Sequence, residues 1–122
     1  MKKHILLVDD EAPILEVLES YLTGRGFRVS AVQSAAEARK VVQVDAPQLV
    51  ITDLQLEAED GLQLVEQLKI LRPTMPVILL TGVLFDPKVV EERLSKKVAA
   101  YVSKTTSLKQ LLSEVQRLVG PP

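Results

Sequence analysis

The sequence predicts an α/β domain, a doubly wound parallel sheet of five strands with helices on both faces. Five short strand-like segments recur along the chain, four of them apolar runs and one alternating apolar with polar residues, each too short for a helix. Each is followed by a longer segment with apolar residues at helical spacing, so the order is strand–helix five times over. Four of the five segments end in a polar group: Asp9-Asp10, Asp53, Thr81 and Lys104. A parallel sheet brings these ends to one edge, where open α/β sheets place their ligand crevice.

The first run is Ile5 to Val8, closing at Asp9-Asp10. Pro13 suits the first turn of the helix that follows. Ile14, Leu15, Val17, Leu18, Tyr21 and Leu22 give that helix its apolar spacing, and Gly24 and Gly26 stop it. Phe27 to Val32 alternates apolar and polar residues, as a strand nearer the sheet edge does. Ser34 with Glu37 forms a capping box for a second helix, which runs to about Asp45 and is ended by Pro47. Leu49, Val50 and Ile51 are the central buried strand, leading through Thr52 to Asp53.

A polar loop, Gln55 to Asp60, precedes Gly61 and a third helix with Leu62, Val65, Leu68 and Leu71 inward. Arg72-Pro73 breaks it. Pro76 to Leu80 is the fourth strand, closing at Thr81-Gly82. Asp86-Pro87 opens a fourth helix anchored by Val89, Val90 and Leu94. Val98 to Val102 is the fifth strand, with Lys104 just past it. Ser107 with Gln110 caps a last helix whose buried face is Leu108, Leu111, Leu112, Val115 and Leu118. The domain is expected to span residues 1–119, with 120–122 a tail or the start of a linker.

Composition narrows the function classes. The chain has 122 residues, 47% hydrophobic, enough for one domain with a real core. A net charge of −1 provides no general attraction to nucleic acid or to an anionic membrane. The absence of cysteine rules out a disulfide framework and a thiolate metal site. No apolar run approaches the roughly 18 residues of a membrane span, and the short run after Lys2-Lys3-His4 is not a signal peptide. A cytoplasmic location is expected.

Each polar strand end has an ordinary use. Asp9-Asp10 can cap the first helix, Asp53 and Thr81 can close turns, and Lys104 can lie solvated on the surface. Their convergence argues for more. Three clustered carboxylates repel one another and need a cation, and oxygen ligands without a Cys or His cluster favour a hard ion such as Mg2+. With the Lys104 ammonium and the Thr81 hydroxyl, such a site clamps a phosphoryl group. Asp53 is then the nucleophile that forms an aspartyl phosphate. His4, the sole histidine, lies at the far end of its strand from the acidic pair and is expected to be structural.

Val8-Asp9-Asp10-Glu11, Asp53 closing the third strand, Asp60-Gly61, Thr81-Gly82 and Tyr101-Val102-Ser103-Lys104 together resemble the response-regulator receiver domain (CheY-like) of two-component signalling. The resemblance covers the whole chain. It implies strand order 2-1-3-4-5 in a flavodoxin-like three-layer sandwich. It implies that Asp53 takes phosphate from the phosphohistidine of a sensor histidine kinase or phosphotransfer protein. It further implies that Asp10, Asp53 and the carbonyl of Gln55 hold Mg2+, with Asp9 acting through water, and that Lys104 contacts the phosphoryl group. Thr81 and Tyr101 are then the switch residues. They carry the signal to the face of the fourth helix, fifth strand and fifth helix, where a homodimer partner or downstream effector would bind.

The chain departs from that family pattern twice. Glu57 stands where a proline is usual, four residues after the phosphoacceptor, and Thr105 stands where a proline in a cis peptide usually follows the lysine. A cis bond before a non-proline costs about 2.5–4 kcal/mol, so a trans bond with a rearranged loop, or a strained exception, is expected at Thr105. Neither departure removes a reacting group. The competing reading is a receiver-like interaction module that takes no phosphate. An aspartyl-phosphate hydrolase is disfavoured because Gln55 stands where its general acid would be. A flavodoxin-like flavin carrier is disfavoured because Asp9-Asp10-Glu11 would repel a phosphate at the first loop. Catalysis is expected only of the domain's own phosphorylation and dephosphorylation. A DNA-binding output would require chain beyond residue 119.

Overall fold

The computed structural model describes residues 2–53, 56, 61–81 and 98–121. Expectations for Gln55, Glu57, Asp60, Gly82 and the fourth helix lie outside these residues, as does the Thr81 side chain. The strands are β1 (His4–Val8), β2 (Arg28–Val32), β3 (Leu49–Thr52), β4 (Val77–Thr81) and β5 (Ala100–Ser103). All pair in parallel, in the order β2-β1-β3-β4-β5. β1, β3 and β4 are interior, and the first two are buried along their whole length. That matches their unbroken apolar runs, whereas the alternating β2 sits at an edge.

Helices α1 (Ala12–Gly24), α2 (Ala35–Val44) and α3 (Gly61–Leu71) and the C-terminal helix (Leu108–Val119) cover the sheet. One core unites Leu6, Val8, Val50, Val77 and Leu79 with α2 and α3. The other unites Ile5, Leu7, Ile51, Ile78 and Val102 with α1 and the C-terminal helix. Alternate residues of each interior strand thus face opposite layers, as the pleat requires. Both predicted caps form: Ser34 Oγ accepts from Glu37 N–H and Ser107 Oγ from Gln110 N–H, each at 3.2 Å.

Three apolar assignments shift. In the C-terminal helix only Leu111 and Val115 are fully buried, and Leu108, Leu112 and Leu118 flank the core. Val17 is 54% exposed, because α1 buries only Leu15, Leu18 and Leu22 fully. It lines a cleft of about 290 Å³ between α1 and the C-terminal helix, with Lys104 also on its wall. In α3 the fully buried residues are Leu64, Val65 and Leu68, and Leu62 and Leu71 only flank the core. A helix presents an apolar stripe wider than the strip the sheet covers, so the stripe's margins stay partly wet. The Lys104–Thr105 peptide is trans, as is every described peptide bond. His4 is buried, with Nε2 2.7 Å from Ser30 Oγ, at the opposite end of β1 from the acidic pair, as expected of a structural histidine.

Candidate functional site

Register builds the site. Val8 pairs with Thr52 across β1 and β3, so the residues after them, Asp9 and Asp53, leave the sheet at one level. Asp53 N–H donates to Val8 O at 2.9 Å and Asp9 N–H to Val32 O at 3.2 Å, extending the ladder by one bond past each strand. Thr81 pairs with Ser103, so Lys104 leaves β5 at the same edge. Asp9, Asp53 and Lys104 therefore meet because parallel strands β1, β3 and β5 end at one edge of the sheet.

Lys104 is the hub. Its Nζ lies 3.0 Å from Asp53 Oδ2, 3.0 Å from Asp9 Oδ2 and 3.4 Å from Glu11 Oε2. The Lys104 side chain is only 12% exposed, and the Asp9 and Asp53 side chains are more buried still. Burial pulls the Lys104 pKa down, but its contacts with Asp53 and Asp9 more than reverse this and hold it above the ordinary lysine range. Burial pushes the Asp9 carboxyl up. The Glu11 N–H, which donates to Oδ1 at 2.9 Å, and the Lys104 charge oppose that shift without cancelling it.

Asp9, Asp10 and Asp53 each bring a carboxylate oxygen within 4.8 Å of the others. Asp9 Oδ2 is buried and faces the Lys104 ammonium as an ion pair, without an aligned hydrogen-bond donor among the described residues. A buried carboxylate oxygen with no aligned donor there, set beside two further carboxylates, fits a bound cation with a preference for oxygen. The expected site residues Asp9, Asp10, Asp53 and Lys104 are brought together. Tyr101, on β5, is 42% exposed and stands outside this cluster. Glu11 was missed as a site residue: its contact spans 93 positions to Lys104, and the only signal was its place directly after the acidic pair.

The family model for the response regulator receiver domain matches residues 5–116. Over 79 residues, 65% of the chain, the sequence is 41% identical to the transcriptional regulatory protein GlrR of Escherichia coli K12, a stretch that is 18% of that protein. It is 32% identical over 121 residues, 98% of the chain, to the TorCAD operon transcriptional regulatory protein TorR of the same strain, and this match is 51% of TorR. The chain thus spans about half or less of these curated relatives. A solved response regulator receiver domain protein (CheY-like) from Methanospirillum hungatei JF-1 superposes with a TM-score of 0.88 at 26% identity. That match covers 96% of this chain and 93% of the other.

Proposed function

Because the chain belongs to the response-regulator receiver domain family, we propose that it is a phosphorylation-dependent signalling switch with Asp53 as its phosphoacceptor. The observation that carries the assignment is the Lys104 ammonium 3.0 Å from Asp53 Oδ2, in a crevice that also holds Asp9 and Asp10. Asp53 directly follows a central strand, so the strand fixes its carboxylate at the sheet edge where open α/β sheets place their ligand crevice.

In the transfer, an Asp53 oxygen bonds to phosphorus and the P–N bond of a partner's phosphohistidine breaks. The electron pair returns to the imidazole nitrogen of the sensor histidine kinase or phosphotransfer protein. Lys104 then shares its charge with the phosphoryl oxygens, a gain available only once the group has arrived. Asp10, Asp53 and the Gln55 carbonyl would hold Mg2+, with Asp9 acting through water. The donor set suits that ion, since it is all oxygen and contains neither Cys nor His. When bound, Mg2+ neutralises charge that would otherwise keep the phosphoryl group out of an acidic crevice. Any output of a longer protein is outside these residues, and its control is assigned to the face around Tyr101.

The experiment is incubation with Mg2+ and acetyl phosphate followed by intact-mass measurement. Wild type gains one phosphoryl group and Asp53→Asn gains none. Equal labelling of both would remove the assignment. An unlabelled wild type would favour the receiver-like interaction module.

A further inference from the structure

Glu11 has no part in the chemistry described, yet its side chain occupies the site. It holds the N-cap position of α1 with extended backbone (φ −91°, ψ 100°) and makes no side-chain capping bond. The carboxylate is therefore not spent on the helix. Its backbone N–H is anchored on Asp9 Oδ1 at 2.9 Å, which fixes where the side chain starts.

Around Lys104 Nζ the described residues place three carboxylates: the ammonium donates to Asp53 Oδ2 and to Glu11 Oε2, and it faces Asp9 as an ion pair. A phosphoryl group on Asp53 brings further negative oxygens to the same ammonium and competes with these partners for its charge and its donors. Asp9 and Asp53 are buried at 3.0 Å, whereas Glu11 is 56% exposed and the most distant, at 3.4 Å. Glu11 is the contact that gives way at least cost. We infer that Glu11 is a positioning residue that holds Lys104 in the resting site and competes with the phosphoryl group for its ammonium, biasing the switch toward the unphosphorylated state. The inference rests on Asp53 being the phosphoacceptor and deepens that reading.

Beryllofluoride, which stands in for the phosphoryl group on a carboxylate, gives an equilibrium readout. In saturating Mg2+, Glu11→Gln and Glu11→Ala both bind it more tightly than wild type, by about two- to fivefold, the scale of a partly exposed ion pair. The gain shrinks as salt is raised, because the competition is between exposed charges. A structural disturbance would weaken binding and would not follow salt. Unchanged or weaker binding in Glu11→Gln, or a gain seen in Glu11→Ala alone, overturns the inference. If beryllofluoride binds none of the proteins, the phosphoacceptor reading has failed instead. The contact itself is then read from the 15N resonance of the Lys104 ammonium in the metal-free protein: a shift in Glu11→Gln supports the pair, and an unshifted resonance overturns the inference.

Discussion

At the scale of single residues, the site stores opposing charge at close range. Removing the ammonium in Lys104→Ala leaves the buried Asp9 and Asp53 carboxylates without their shared cation. A loss of roughly 1–3 kcal/mol is expected in the metal-free protein, partly recovered on adding Mg2+, read from urea midpoints with and without chelator. Asp9→Asn moves the other way. The folded Asp9 pKa is raised above its ordinary 3.8 because burial disfavours the charge. An uncharged amide therefore raises the metal-free midpoint at pH 7, while Lys104 keeps Asp53 and Glu11. A lower midpoint would show that the Lys104 ion pair outweighs burial. His4 supplies a separate pH dependence. Burial, and then the Arg28 charge, lower its pKa below the ordinary 6.5, against the opposing pull of Asp45. A base with a depressed folded pKa binds more protons when unfolded, so its contribution is present above pH 6.5 and is lost as pH falls from there toward the folded pKa. Stability should drop between pH 7 and pH 5 in wild type and drop less in His4→Gln, measured by denaturation at each pH.

At the scale of elements, the two ends of the helices are held differently. Ser34 and Ser107 cap α2 and the C-terminal helix through side-chain bonds, whereas α1 starts at Glu11 with no such bond and with proline in its first turn. Proline's fixed φ preorganises that turn, which leaves the Asp9–Glu11 segment free to serve the crevice. Ser107→Ala should cost about 1 kcal/mol, seen as a lower urea midpoint, without altering phosphorylation of Asp53. A phosphorylation defect in that variant would mean that the start of the C-terminal helix also positions Lys104. At the other end of this helix, Lys3 Nζ donates to the Val119 carbonyl and ties the helix terminus to the residue before β1.

At the scale of the whole molecule, one sheet edge carries the chemistry and the outer side of β5 carries a half-exposed aromatic, Tyr101, paired in register with Leu79 of β4 two positions before Thr81. A phosphoryl group on Asp53 adds negative charge and acceptor oxygens beside that edge. Beryllofluoride should change amide exchange or chemical shifts around Tyr101, around Lys109 and over residues 87–97. Changes confined to α1 and α2 would place the output on the wrong side of the sheet.

The sequence by itself determined the class of fold and most of the chemistry. Unbroken apolar runs mark the strands, and charged residues stand within two positions of the ends of three of them, so the strand ends Asp9-Asp10, Asp53 and Lys104 were legible from local pattern alone. Caps were legible too, because Ser34 and Ser107 act within three residues. Strand order came from family resemblance, since spacing does not say which strands are neighbours. Only the tertiary structure decided which apolar stripe residues stay wet, as Val17 does, and which carboxylates share one ammonium. Those outcomes depend on how helices lie across a twisted sheet and on contacts spanning most of the chain, and no local periodicity encodes them. Glu11 shows the difference: beside Asp10 in sequence it reads as one more acidic residue, and only the fold lays Lys104 against it.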